Sequence, residues 1–257
     1  MSSSWLSARS NPHAPLRLFC FPHAGAGASA YRTWPASLEK AGVDVRAVQL
    51  PGRENRFGEK PFHEAGPLVE ALVEGVAAEL DRPCILFGHS MGALVAFEFA
   101  RALRVLGGPQ PLHLFVSGRI APQLADPRPK LFDLPDVELC SRLAELGGIP
   151  DAVLADPALM AFQLPLLRAD LAVNENYTHV PGPPLAVPIT AFGGKRDSKV
   201  TEAEVRAWAV QTDDRFTARM LAGGHFFVQE SAVTLLRYLL VDLSQTLAAR
   251  PPVAGPW

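Results

Sequence analysis

Residues 84–106, CILFGHSMGALVAFEFARALRVL, restrict the fold more than any other stretch. An apolar run suited to a buried strand ends in GHSMG, and apolar residues at three-and-four spacing resume at once as a helix. A strand that becomes a helix within so few residues makes a very tight turn. Gly88 and Gly92 supply the room that side chains on either side of Ser90 would fill. The turn therefore lifts the Ser90 hydroxyl to the sheet's edge and sets it at a helix N-terminus. An ordinary strand-to-helix turn is the alternative, and the coincidence of strand, both glycines and helix argues against it.

The same grammar recurs along the chain. LRLFCF (16–21), VDVRAV (43–48), CILFG (84–88), LHLFVSG (112–118), VPITAFGG (187–194) and FTARML (216–221) read as strands. Amphipathic helical stretches at 65–80, 91–106 and 201–212, and a long closing helix from Phe226, separate or follow them. This alternation predicts βα units around a mostly parallel sheet. No internal repeat interrupts it. Between Asp126 and Tyr177 no strand is predicted; short helices, DVELCSRLAEL and PALMAFQLPLLRADLAVNENY, are joined by proline-rich connectors. The expected organisation is a core at 16–125 and 178–248, a helical insertion at 126–177, and frayed tails at 1–15 and 249–257. An insertion there sits over the edge of the sheet where ligands of open α/β folds bind, as a lid or as a plain packing subdomain.

With 48% hydrophobic and 19% charged residues, a chain of 257 residues has the apolar surface for a large core. A net charge of −2 gives no global electrostatic case for nucleic acid or an anionic membrane. Three cysteines, Cys20, Cys84 and Cys140, are too few for a disulfide scaffold and read as reduced thiols. The N-terminal stretch lacks a long apolar segment, so the expected location is the cytoplasm.

A serine hydroxyl is a poor nucleophile near neutral pH and needs a base. On folds with this elbow, acid and histidine follow the serine on loops after late strands. VPITAFGGKRD places Asp197 just beyond one such strand, and FTARMLAGGH places His225 beyond the next. His13, His63, His113 and His179 lie elsewhere, and the His89 side chain is expected to point away from Ser90. Asp213 and Asp214, at a helix end, and Asp170, in the insertion, are the weaker acids. Thr201, with Glu204 three residues on, reads as a capping box. An oxyanion needs two donors. One is the Met91 amide; the other belongs to the loop FCFPHAGAGAS, at Ala24 with Gly25 as fallback, unless that loop is merely a tight turn. This loop lacks the lysine and spacing of a phosphate-binding loop.

Together FCFPHAGAGAS, LPGRENR, GHSMGALVAFEFA, GGKRD and GGHFFV resemble the type II thioesterases that accompany modular polyketide and nonribosomal peptide synthases, over roughly 16–247. The resemblance implies an α/β-hydrolase fold with helices on both faces of the sheet, a helical lid, and Ser90, Asp197 and His225 at the triad positions. It implies as substrate an acyl group on the phosphopantetheine arm of an acyl or peptidyl carrier protein, removed to restart a stalled assembly line. No cofactor or metal is expected. Ala26 stands where the family commonly has glycine, which bears on the oxyanion donor. Met160, Phe162 and Leu164 are candidates to line an acyl channel, against a reading as plain core. Arg53, Arg56 and Lys60 either touch a carrier protein's acidic face or belong to a salt-bridged loop. The rival functions are a chain-releasing thioesterase, a general carboxylesterase and a non-catalytic carrier-docking module.

Overall fold

The computed structural model describes residues 4–7, 11, 13–146 and 151–249. Six strands form one sheet: β1 (Leu16–Phe21), β2 (Val43–Ala47), β3 (Cys84–His89), β4 (Leu114–Ser117), β5 (Ile189–Gly194) and β6 (Phe216–Leu221). Their order is β2-β1-β3-β4-β5-β6, and every pairing is parallel. All six strands lie where hydrophobic patterning places them. Parallel strands need long crossovers, and helices supply them: α1 (Trp34–Leu38), α2 (Ala65–Val76) and α3 (Met91–Val105) in the first half. The insertion follows β4 with α4 (Asp136–Leu146), α5 (Asp151–Leu154) and α6 (Pro157–Glu175). The chain closes with α7 (Glu202–Arg206), α8 (Phe227–Glu230) and α9 (Ala232–Ala248). α1 and α5 were not among the expected helices, because runs this short carry too few turns for a periodic signal.

Period-two alternation assigns the two sheet faces. Phe19, Phe21 and Leu86 join the core made with α2 and α3, while Leu18, Cys20, Ile85 and Phe87 join the core made with α1 and α9. Strands buried on both faces explain why they read as nearly continuous apolar runs. A third cluster of Leu139, Leu143, Met160, Leu164, Leu167 and Leu171 holds the insertion together. Val173, later on α6, belongs to the main core instead, so α6 is rooted in the body of the protein.

The N-terminal stretch departs from the frayed tail expected of 1–15. Leu6 is buried and forms an antiparallel bridge with Val48, and the Trp5 carbonyl accepts the Gln49 amide at 2.8 Å. The Arg56 guanidinium lies 4.2 Å over the Trp5 ring. Two apolar side chains on a free sheet edge suffice for docking, without any periodic face. The tail expected at 249–257 lies, past Ala249, outside the described residues. Cys20 and Cys84 are buried free thiols and Cys140 is partly buried. No helix among the described residues is long and apolar enough to cross a membrane.

Candidate active site

Ser90 sits between β3 and α3 with φ +54° and ψ −119°, one of two non-glycine residues with positive φ among those described. That backbone is strained and persists only where its surroundings force it. Packing supplies the force. A Cβ on Gly88 would lie 2.0 Å from the Gly92 carbonyl oxygen, and one on Gly92 2.0 Å from the Phe21 carbonyl oxygen. The Ser90 amide donates to the Ser117 carbonyl at 2.8 Å, which ties the turn to the end of β4.

Asp197 and His225 arrive from the loops after β5 and β6, at the same edge of the sheet. The imidazole Nδ1 is 2.9 Å from Asp197 Oδ2, and Nε2 is 3.3 Å from Ser90 Oγ. Asp197's other oxygen accepts the Lys199 amide at 2.8 Å, so the carboxylate is fixed and fully buried. With the Nδ1 hydrogen directed at Asp197, the Nε2 lone pair is left facing the serine hydroxyl. The three residues singled out in the sequence thus meet.

The rivals do not. His63 and His13 are exposed, and His113 is buried between Thr246 and Thr190 at 2.9 and 3.0 Å. His179 bonds the Tyr177 hydroxyl at 3.2 Å. Asp213 and Asp214 precede β6, at the opposite end of the strand from His225. The capping box of Thr201 and Glu204 is present.

His89 also lies close to the site. Its ring is buried beside that of His225, centroids 5.4 Å apart, and its Nδ1 bonds Ser117 Oγ at 2.9 Å. Burial first, and then the charges of His225 and His23, push its pKa well down, so it stays neutral. His23, in the FPHAG loop, lies near the same histidines, a placement that no sequence spacing signals. It packs on Phe226 at 5.0 Å and on His89 at 5.9 Å. Burial, then His225 and Arg53, lower its pKa to about 4.

The oxyanion candidates separate clearly. The Ala24 and Met91 amides donate to no other described residue, whereas the Gly25 amide donates to Asp170 Oδ2 at 2.7 Å. Gly25 is therefore no fallback. It has φ +79°, and a Cβ there would meet Leu167 at 2.5 Å, so α6 packs directly on this loop. Ala26 keeps its amide within the turn, bonded to the His23 carbonyl at 3.1 Å, and its carbonyl accepts Arg53 Nη1 at 3.0 Å.

Arg53 is not a docking cation. It is buried and grips Asp170 with Nη1 and Nη2 at 2.7 and 2.8 Å. Arg56 is likewise buried, bonded to the Gln49 carbonyl at 2.9 Å and to Glu59. For the two arginines the alternative reading, a salt-bridged loop, holds, and of the three residues Lys60 alone is exposed.

A cavity of about 840 Å³ opens at Ser90 and His225, walled by 118–134, 174–181 and 198–200 together with α4 side chains. Met160, Phe162 and Leu164 do not line it. Met160 and Leu164 are buried in the insertion's own core, and Phe162 is 63% exposed against Phe57, ring centroids 6.1 Å apart. For Met160 and Leu164 the plain-core reading therefore holds, and the helical spacing is that by which α6 meets α4. Leu131 and Leu134, from an aperiodic connector, are the leucines of the insertion that do line it.

The chain matches the thioesterase domain family over residues 16–240. It is 41% identical over 246 residues to the gramicidin S biosynthesis protein GrsT of Aneurinibacillus migulanus, covering 96% of each chain. Among solved structures, the thioesterase RedJ of the prodiginine pathway of Streptomyces coelicolor superposes with a TM-score of 0.85 at 44% identity, over 89% of this chain and 91% of that one. BorB, a type II thioesterase from the borrelidin biosynthetic cluster, superposes with a TM-score of 0.83 at 38% identity, over 95% and 97%.

Proposed function

The chain belongs to the thioesterase family, with the type II thioesterases of nonribosomal peptide and polyketide pathways, and from that premise we propose that it is an editing enzyme acting on carrier proteins. It is a serine hydrolase of thioesters on an α/β-hydrolase fold. The proposed substrate is a stalled or aberrant acyl group on the phosphopantetheine arm of an acyl or peptidyl carrier protein. The observation that carries the reading is the chain Asp197–His225–Ser90, with links of 2.9 and 3.3 Å, at the mouth of a cavity.

In the proposed reaction Ser90 Oγ attacks the thioester carbon while its proton passes to His225 Nε2. Asp197 holds the imidazole's tautomer and stabilises the imidazolium. Negative charge develops on the carbonyl oxygen, where the Ala24 and Met91 amides receive it without reorganising. Collapse expels the pantetheine thiolate, which takes the proton from His225. A water molecule, deprotonated by the same nitrogen, then attacks the acyl-serine; the carboxylic acid leaves and Ser90 regains its proton. The Oγ to Nε2 distance of 3.3 Å is long for a hydrogen bond, and substrate binding is expected to tighten it. The insertion roofs the cavity and acts in this reading as the lid over the acyl chain. The free buried thiols accord with a cytoplasmic site of action.

Editing rather than chain release is favoured by the likeness to BorB, which is described as a type II thioesterase. The deciding experiment is mass spectrometry of intact carrier protein, loaded with short acyl units or with a full-length product chain, before and after incubation with wild type and Ser90→Ala. Loss of short acyl mass with wild type alone is the expected result. Preferential release of the full-length chain would overturn editing, and equal turnover of free nitrophenyl esters would overturn carrier specificity. Acyl loss undiminished in Ser90→Ala would remove the mechanism.

A further inference from the structure

His89 stands directly before the nucleophile, and its buried side chain has no part in the reaction described above. β3 ends at His89 and β4 at Ser117, and the two residues are partners in the parallel register. Ser117 serves both sides of the turn: its carbonyl accepts the Ser90 amide at 2.8 Å, and its Oγ bonds His89 Nδ1 at 2.9 Å. On its other sides the His89 ring meets His225, Phe226 and Phe227, with centroids 5.4, 5.9 and 5.7 Å away, and His23 at 5.9 Å. Gly118 closes this box, since with φ +61° it passes where a Cβ would lie 2.5 Å from the ring.

An imidazole is a costly filler for such a space. A phenyl ring of similar shape would bring no polar atom to desolvate. What the imidazole adds is two nitrogens, and one of them is engaged by Ser117. The other, Nε2, is buried and bonds no described residue, while the main chain of His225 is the group that draws a proton to the ring. Burial keeps both His89 and His23 neutral, so neither ring opposes the imidazolium that His225 becomes.

We propose that His89 is a positioning residue for His225, a neutral bridge between the Ser117 hydroxyl and the main chain of the base, which fixes how far that base stands from Ser90. Ser117 Oγ donates to Nδ1, and the hydrogen on Nε2 is directed at the His225 carbonyl. One strand end, Ser117, thereby sets the nucleophile through its carbonyl and the base through its hydroxyl. The distance governed is the 3.3 Å between His225 Nε2 and Ser90 Oγ, and a small misplacement there slows proton transfer severely. His89 acts through His225, so the bonds that form and break are those already described. The inference rests on the serine-hydrolase reading of the site.

The test is steady-state kinetics of the full chain on an acyl-loaded carrier protein, with kcat expressed per active site titrated by a phosphonate that labels Ser90. His89→Phe keeps the ring's shape and removes both nitrogens; kcat is expected to fall about 10- to 100-fold with KM little changed. His89→Gln places an amide where Nε2 stands and should recover most of that loss, whereas His89→Asn, which reaches Ser117 and not His225, should recover less. The downfield proton NMR resonance of the His225 Nδ1 hydrogen should be present in wild type and His89→Gln and lost or broadened in His89→Phe. Ser117→Ala removes one hydrogen bond and little volume, so it guards against ring variants that fail to fold; it should lower kcat about 3- to 10-fold at similar KM. Unchanged kcat per site in Ser117→Ala or His89→Phe, a loss carried by KM or by the titratable fraction alone, or His89→Gln no better than His89→Asn would make the ring simple packing and overturn the proposal. Phosphonate labelling uses the same base and no thioester, so its rate should follow kcat across the variants. A wild type inert towards thioesters but labelled at a His89-dependent rate would sink the thioesterase reading and leave this inference standing. Thioester turnover indifferent to both His89 and Ser117 would do the reverse.

Discussion

Asp170 on α6 and Arg53 in the loop after β2 form a buried, two-pronged ion pair at 2.7 and 2.8 Å, and the same Asp170 oxygen accepts the Gly25 amide at 2.7 Å. One carboxylate therefore joins three separate pieces of chain: the insertion, the loop after β2, and the loop that offers the Ala24 amide. The pair is shielded from solvent, so removing one member strands the other.

Asp170→Ala is expected to cost about 3–5 kcal/mol of stability, read by urea denaturation, because Arg53 is left charged and buried. The loss in Arg53→Ala with Asp170→Ala should fall short of the sum of the single losses, since each single variant already breaks the pair. In Asp170→Asn, which keeps an acceptor for Gly25, kcat should fall less than in Asp170→Ala at similar KM. Equal kcat in the two variants would separate this carboxylate from the oxyanion loop.

Asp197→Asn keeps the shape of the site but no longer holds the Nδ1 hydrogen of His225 in place. A loss of about 10⁴-fold in kcat is expected, by analogy with serine hydrolases in which the acid was so replaced. Ser90→Ala should abolish acyl-enzyme formation, seen as the absence of a mass adduct with an active-site phosphonate. An Asp197→Asn variant within tenfold of wild type would dismiss the carboxylate from the mechanism.

Gly92→Ala should not yield folded protein, because its methyl would lie 2.0 Å from the backbone oxygen of Phe21 on the neighbouring strand. Circular dichroism and soluble yield give the readout. Gly66→Ala, at an open position on α2, serves as the control and should fold normally.

His113 is enclosed between Thr246 and Thr190 and stacked on Phe115 at 4.1 Å, with Asp242, Asp214 and Arg215 as its charged surroundings. Burial lowers its pKa to about 4 in the folded chain. Between that value and the ordinary histidine pKa near 6.5 the unfolded state binds the extra proton, so stability falls as pH drops through this window. The loss approaches on the order of 3 kcal/mol at the acid end. Thermal melts from pH 7 to pH 4.5 should show a steeper fall for wild type than for His113→Gln, and parallel profiles would assign the acid sensitivity elsewhere.

Leu164→Ala should lower stability by about 2–4 kcal/mol through the insertion's core, without altering the ranking of acyl substrates. Leu131→Ala, at the cavity wall, should alter that ranking. Competition assays with acyl thioesters of increasing length distinguish the two, and a re-ranking by Leu164→Ala would restore α6 as the acyl channel.

The strands and the three polar residues at the sheet's edge could be read from the chain because each depends on local pattern. Period two marks a strand, period three-and-four a helix, and GHSMG between them leaves a serine backbone almost no alternative. Asp197 and His225 were found because each is tethered one loop beyond a legible strand, so position along the sheet follows from position along the chain. What lay outside local pattern came only from the folded chain. Nothing in the spacing of Arg53 and Asp170, separated by 117 residues, says that they meet, and only that meeting decides between a docking cation and a salt-bridged one and removes Gly25 from the candidate oxyanion donors. The cavity wall was equally hidden. Periodicity reports that α6 has an apolar face, but whether that face meets substrate or α4 is settled by packing between distant segments, and the residues that do line the space come from connectors with no period to read.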